Sequence, residues 1–217
     1  MGTITRSFAN NLTTNGILKA GAFNNASLNN VTALNAAIAT GNMILISSQT
    51  ANDSASISFT TGIDSTYKEY QFWFIDIHPR TNATDFTFNM STDSGSNYNV
   101  TKTSTFFRSY HFEDDTESGL GYITSTDLAQ STAFQLLTEN GFSNDADVSL
   151  GGSLTIFNPA STTYVKHFIS TTNNIKVTYA INSYIAGYGN TTSAVNAVQF
   201  KMASGNMDGT ILMYGIK

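Results

Sequence analysis

The sequence predicts an all-β protein, a single β-sandwich of jelly-roll type, and three observations favour that fold class. Only 12% of the residues are charged, and Ser, Thr and Asn largely take their place. These residues are poor helix formers because their side chains compete for backbone hydrogen bonds, whereas Thr suits strands and Asn and Ser suit turns. From residue 43 onward, apolar and polar residues alternate over short stretches separated by turn residues. This spacing is typical of a sandwich with about nine or ten strands.

Residues 1–42 are predicted to form an N-terminal arm that is separate from the sandwich domain, which would occupy residues 43–217. The arm is Asn-rich, and its apolar residues follow no sustained helical or strand period. Such a segment cannot bury its apolar residues by itself, so we expect an extended assembly arm that lies on a partner. The side chains expected to make these contacts are Phe8, Ile17, Leu18, Phe23 and Leu28.

The most apolar stretch of the sandwich domain covers residues 67–79. Its apolar side chains alternate, with Tyr70, Phe72 and Phe74 on one face and Trp73, Ile75 and Ile77 on the other. A strand that is apolar on both faces is usually covered on both sides, so we expect a central strand that ends at Pro79. Residues 85–93 alternate cleanly, with Phe86, Phe88 and Met90 on one face and polar residues on the other, which predicts a further strand.

The second half of the domain is predicted to be less regular at first and then strand-rich again. Residues 113–117 form an acidic stretch, and residues 126–137 are predicted to include a short helix. Further strands follow, and the Gly- and Asn-containing residues 203–208 are expected to join the last two as a hairpin.

Composition and charge exclude several classes of function. The net charge is −5, so we expect no non-specific attraction to nucleic acid or to an anionic membrane. The chain has no cysteine, which excludes a disulfide framework, a thiolate metal site and a cysteine nucleophile. It has neither a long apolar stretch nor a signal-peptide pattern at its start, so we expect no membrane insertion and assembly in a cytoplasm.

The sequence offers little catalytic or metal-binding chemistry. His78, His111 and His167 fall in different predicted strands without the spacing of metal ligands. The acidic residues 113–117 do not follow an EF-hand pattern, which favours a solvated loop over a calcium site but leaves calcium open. Glycoside hydrolysis needs two carboxylates that flank one cleft, and the sequence indicates no such pair. We therefore expect no enzyme activity, no cofactor and no metal.

Aromatic side chains are the remaining resource for ligand binding. Tyrosine rings that are exposed on a strand can stack on the apolar face of a sugar, although most aromatic residues are expected in the core or in interfaces. The residues singled out as ligand contacts are Tyr98, Tyr110, Tyr122 and Tyr188.

The low share of charged residues has two interpretations. The chain has a neutral polar surface, or much of its surface is buried between subunits, where charged residues are depleted.

Four stretches of the chain resemble a group of structural proteins of tailed phages, especially phages of marine bacteria and cyanobacteria. They are residues 46–79, 91–101 (STDSGSNYNVT), 156–168 (IFNPASTTYVKHF) and the C-terminal residues 186–217, which end in LMYGIK. Members of this group are described as virion structural, tail or fibre proteins, so the resemblance implies a place on a virion and no activity. It does not distinguish between the head and the tail of the particle.

The sequence and the resemblance together predict a non-enzymatic virion structural protein that is assembled in the host bacterial cytoplasm. The favoured form is a tail-fibre or receptor-binding (adhesin) subunit that is anchored by its arm. Its expected partners are other virion proteins, further copies of itself in a homotrimer, and a host surface glycan. One alternative is a capsid decoration (cement) or head-fibre protein that clamps capsomers. The other, less favoured, is a fibre enzyme that degrades glycans.

Overall fold

Alternating side chains build twelve strands in the computed structural model, which describes residues 42–139 and 141–217. The strands are β1 (Met43–Ser54), β2 (Ile57–Phe59), β3 (Glu69–Pro79), β4 (Phe86–Ser91), β5 (Lys102–Phe112), β6 (Ser118–Tyr122), β7 (Gln135–Leu136), β8 (Leu150–Phe157), β9 (Lys166–Lys176), β10 (Tyr179–Gly189), β11 (Ala197–Met202) and β12 (Met207–Ile216). Within these ranges no residue is helical, and no helix suited to crossing a membrane is found. The predicted arm residues Phe8, Ile17, Leu18, Phe23 and Leu28 lie outside the described residues.

The strands form two antiparallel sheets, which confirms the predicted all-β sandwich. The large sheet has eight strands in the order β1-β12-β3-β8-β9-β10-β5-β6, and the small sheet has four in the order β2-β11-β4-β7. Every strand pairing within them is antiparallel. The finer expectation of jelly-roll connectivity stays a prediction.

A cluster of aromatic rings fills the space between the two sheets. Phe200 of β11 lies at its centre, with its ring 5.3 Å from the rings of Phe72 and Phe74 of β3 and 5.9 Å from that of Phe86 of β4. These rings are almost fully buried. Rings in edge-to-face and tilted contact stabilise a core beyond their buried area, so this cluster holds the large sheet against the small one.

A bulge in β3 changes which of its side chains face the core. The register with β8 shifts between Phe74 and Ile77, and Asp76 has a left-handed backbone with φ of 51°. Asp tolerates that conformation better than β-branched residues do, and the extra residue turns Ile77 inward, where it is fully buried. Ile75 and Trp73 remain outside. The prediction that both faces of β3 are covered is therefore wrong within the described chain.

Two further predictions fail because they depended on local pattern alone. The last two strands do not form a hairpin, since β11 belongs to the small sheet and β12 to the large one. Because the chain crosses from the small sheet to the large one, β11 and β12 can both direct their apolar side chains into the core between the sheets. Residues 126–137 are not helical but contain turns and the short β7, and Gln130 within them has a left-handed φ of 49°.

Candidate functional site

The central rows of side chains on the outer face of the large sheet, the side that points away from the small sheet, carry no charge. Cross-strand pairing arranges its side chains in rows. One row runs through Leu212, Trp73, Ser153, Thr171, Tyr184, Phe107 and Tyr122. The next runs through Leu45, Tyr214, Gln71, Thr155, Ile169, Ala186 and Thr105. Neither row contains a charged side chain.

Large apolar side chains in these rows are open to solvent. Trp73 is 41% exposed and Ile169 is 52% exposed, and Ile75, which pairs with Thr210 next to these rows, is also 41% exposed. Single exposed apolar residues are ordinary on protein surfaces, but contiguous exposed patches mark sites of interaction. The outer face is therefore the strongest candidate for a functional surface within the described residues.

The half of the outer face on β1, β12 and β3 carries one ring pair. The Trp73 and Tyr214 rings lie 5.5 Å apart. We call this half the assembly patch and define it as Leu45, Trp73, Ile75, Leu212 and Tyr214. Asp76, at the bulge, is exposed beside Ile75. An apolar centre with a polar rim is the usual anatomy of a protein–protein interface.

The other half of the outer face contains a shallow depression of about 450 Å³ above Ala186 of β10. Its lining side chains include Thr103, Thr105, His167, Ile169 and Tyr188. The depression exists because Ala186 is small and its neighbours are large. The ring of His167 lies 6.2 Å from that of Tyr188 at one end. Beyond the other end, the rings of Phe107 and Tyr184 stack 4.9 Å apart. We call this feature the ring-flanked depression.

A network of neutral hydrogen-bonding groups forms one rim of the ring-flanked depression. Gln130 donates from Nε2 to Thr103 Oγ1 at 2.7 Å and to the Tyr188 hydroxyl at 3.4 Å. Asn190 Nδ2 donates to Gln130 Oε1 at 2.7 Å. The Gln130 backbone N–H also donates to Thr103 Oγ1. The amide of Gln130 is therefore held in a fixed orientation beside the depression.

The structure separates the four tyrosines that the sequence singled out. Tyr122 and Tyr188 lie on the outer face, and Tyr188 lines the depression. Tyr110 points to the opposite side of the sheet and donates its hydroxyl hydrogen bond to Glu117 at 2.5 Å. Tyr98 is half-buried, and its hydroxyl is buried without a hydrogen-bond partner among the described atoms. Only two of the four thus share a surface.

Several residues of the outer face were missed as site residues. Trp73 was assigned to a covered face, and Phe107, Ala186 and Gln130 were not considered. The alternation of Tyr184, Ala186 and Tyr188 along β10 did contain a usable signal, since residues two apart share a face. Which of the two faces stays open could not be read from that alternation.

A buried ion pair is the strongest candidate for acid–base chemistry, and the sequence did not reveal it. Arg108 of β5 pairs with Glu139, and burial raises the pKa of Glu139. Burial also raises the pKa of Asp85, which accepts hydrogen bonds from Thr138 Oγ1 at 2.9 Å and from the Gly141 backbone N–H at 2.8 Å. Such shifts are common at active sites but also in structural networks.

The partners of these two carboxylates favour a structural role. Each carboxylate is bound by groups of the protein itself, and the bonds fasten Thr138 and Gly141 to the chain before β4 and Glu139 to β5. A catalytic carboxylate must instead reach a proton of the substrate. The arrangement therefore fits a clamp between loop and sheet.

Two lysines are fully buried on the inner side of the large sheet. Lys102 and Lys166 pair with Gly189 from its two sides. Lys102 Nζ donates to Asn89 Oδ1 at 2.5 Å and to Val100 O at 2.8 Å, and Lys166 Nζ donates to two further backbone carbonyls. Desolvation lowers the pKa of both amines, that of Lys102 to about 7. Buried amines of this kind fix strand ends and make stability depend on pH.

The histidines and the acidic stretch 113–117 form no metal site in the described residues, where no three His, Cys, Asp or Glu side chains converge. His78 Nδ1 lies 2.7 Å from Val148 O, and His111 lies beside Asp115. Asp114 accepts hydrogen bonds from Thr116. The structure adds no argument for calcium at this loop.

Comparisons with known proteins find no matching family model, no matching curated protein and no matching solved structure. The resemblance to tailed-phage structural proteins therefore stays a prediction. The functional argument depends on the outer face itself.

Proposed function

We propose that the protein is a non-enzymatic structural subunit of a tailed-phage particle, a tail-fibre or receptor-binding subunit. In this proposal, copies of the chain associate through the assembly patch into a homotrimer. The observation that carries the proposal is the exposed apolar surface of the outer face, where Trp73 and Ile75 are each 41% exposed beside rows without charged side chains. The resemblance in sequence supports a place on a phage particle, and the patch supports association between copies of the chain.

The chemistry of the patch favours another copy of the chain as its occupant. Tryptophan and tyrosine are the residues that most often dominate the binding energy of an interface. The protein carries a net charge of −5, so two copies repel each other except where their contacting surfaces are uncharged. Contact through the assembly patch buries apolar side chains, and none of the five residues that define the patch is charged.

The way in which loops cover the small sheet supports the same proposal. Loops of the chain bury the outer side of β4 in the small sheet, where Asn89 Nδ2 donates to Tyr98 O at 2.7 Å and to Thr132 O at 3.0 Å. No described loop does the same for Trp73 and Ile75. A chain that buries polar residues on one sheet but exposes apolar ones on the other is suited to a partner at the exposed surface.

A charge placed in the assembly patch tests the proposal. We expect Ile75→Lys to shift the full chain from trimer to monomer, because assembly would then remove an ammonium group from water. Molar mass from size-exclusion chromatography with light scattering is the readout. Leu120→Lys is the matched control, since Leu120 is exposed on β6 at the opposite edge of the sheet. A wild-type monomer at all accessible concentrations contradicts the proposal, as does an Ile75→Lys trimer.

A capsid decoration subunit would use the same face and differs in copy number. Quantitative mass spectrometry of purified particles separates the two roles, because decoration requires hundreds of copies and a tail or fibre part requires far fewer. Absence of the chain from purified particles contradicts both.

A further inference from the structure

We propose that the ring-flanked depression binds a neutral glycan, with the sugar over Ala186 and the flanking rings against its apolar faces. The proposal deepens the receptor-binding function proposed above, and it assigns a ligand class to a site distinct from the assembly patch. Three features support it: the spacing of the rings, the polar rim and the absence of charge.

The spacing of side chains along β10 provides the shape. Tyr184, Ala186 and Tyr188 project from the same face at successive alternate positions. A strand rises about 3.3 Å per residue, so the two tyrosines lie about 13 Å apart with the small Ala186 midway. Stacking on Phe107 orients the Tyr184 ring, and the ring of His167 flanks Tyr188. A ligand seated over Ala186 therefore has the Tyr188 ring at one end of the depression and the Tyr184 ring beyond the other end.

The polar rim provides hydrogen bonds for sugar hydroxyls. Thr103, Gln130 and the Tyr188 hydroxyl present neutral donors and acceptors along one side of the depression. The loop that carries Gln130 is tied to β5 by paired backbone hydrogen bonds between Lys102 and Ser131, at 2.8 and 3.0 Å. Gln130 also keeps a left-handed φ of 49°, a conformation that costs free energy in a residue other than glycine. Its amide is thus pre-organised, which lowers the entropy cost of binding.

The absence of charge selects among glycans and against other ligands. No Lys, Arg, Asp or Glu lines the depression. Recognition of a sulfate, phosphate or carboxylate normally uses arginine or lysine, and neither lines the depression. A purely apolar ligand would remove from water the donors and acceptors of the rim that the network leaves unused, which costs free energy. A neutral sugar, with one apolar face and several hydroxyls, satisfies both parts of the site.

The first test is a screen of the full-length protein against immobilised neutral and uronic-acid-containing oligosaccharides, with titration calorimetry of those that bind. We expect binding to one or more neutral oligosaccharides and none to the acidic set. No binding to any neutral oligosaccharide at millimolar concentration overturns the proposal. Binding to the acidic set alone overturns it as well.

Substitutions then locate the site. Ala186→Trp fills the depression and should weaken binding at least about tenfold, as should Tyr188→Ala through loss of a stacking ring. Ala180→Trp is the matched control, because Ala180 is exposed on the same face of β10 beyond the depression. Equal binding by Ala186→Trp and wild type overturns the proposal.

Light scattering on the same variants distinguishes this failure from failure of the proposed function. A wild-type trimer that binds no glycan contradicts only the proposed glycan site. A wild-type monomer that binds glycan contradicts only the proposed assembly into a trimer. If Ala186→Trp itself dissociates the trimer, the depression is an interface between copies and the glycan assignment is wrong.

Discussion

Strands β3 and β4 illustrate how differently two outer faces of one sandwich can be treated. In β4 all six residues are buried, including the polar Thr87, Asn89 and Ser91 on its outer side. In β3 the outer side carries Trp73 and Ile75, and both are exposed. The sequence predicted that both faces of β3 are covered, and for β4 it showed only that polar and apolar residues alternate. Polarity along a strand therefore shows which residues share a face, but not whether that face is covered.

The physical reason lies in the hydrogen bonds of the polar residues. Asn89 joins β4 to two loops and to Lys102, so its burial satisfies polar groups that would otherwise lack partners. The Trp73 side chain, in contrast, could offer a covering loop mainly apolar contact. If the protein assembles as proposed, that area is buried by another copy of the chain.

Removal of the Asn89 side chain is expected to have the largest effect on stability. Asn89→Ala leaves Tyr98 O and Thr132 O without a donor and takes one acceptor from the buried Lys102 amine. We expect the free energy of unfolding to fall by about 3 kcal/mol or more, measured by urea denaturation. Gln71→Ala, a polar residue on the outer side of β3, is the control and should cost less than about 1 kcal/mol. Equal losses of unfolding free energy in the two variants would contradict the difference inferred between β3 and β4.

The Lys102 amine gives the next largest effect, a dependence of stability on pH. Burial lowers its pKa to about 7 in the folded chain from 10.5. Between these values the unfolded state binds more protons, so stability rises with pH from 7 to about 10. One proton accounts for at most about 1.4 kcal/mol per pH unit. Urea denaturation at pH 7, 8 and 9 should show this rise, and Lys102→Met should flatten it. A slope that is unchanged in Lys102→Met would contradict the assignment.

The smallest expected effect lies in the turn after β4. Asp93 accepts hydrogen bonds from Ser91 and Asn97, which lower its pKa to about 2. Because the folded pKa lies below the ordinary value, the stabilisation is present above pH 4 and is lost as the pH falls toward 2. We expect Asp93→Asn to lower the melting temperature slightly at pH 7, with a difference from wild type that shrinks below pH 4. A difference that stays constant down to pH 2 would exclude this account.

The sequence was informative wherever local pattern decides structure. Alternation identified the strands and the inward rings of β3, and the all-β class is confirmed. Long-range effects were not accessible: the bulge at Asp76 depends on pairing with β8 and β12, and the crossing from β11 to β12 depends on sheet packing. Of the four tyrosines singled out, Tyr122 and Tyr188 lie on the outer face and Tyr110 does not, because alternation does not show which face of a sheet stays open. Gln130 was missed because its role comes from the fold of a loop.

Fluorescence of Trp73 tests the central claim most directly, because it is the only tryptophan in the chain. Its emission reports solvent exposure of the assembly patch itself. We expect the emission maximum of the wild-type protein to move to shorter wavelength as concentration rises, in step with molar mass from light scattering. The Ile75→Lys variant should keep the long-wavelength emission of an exposed indole. Assembly without a change in Trp73 emission, or no assembly at any concentration, would contradict the account.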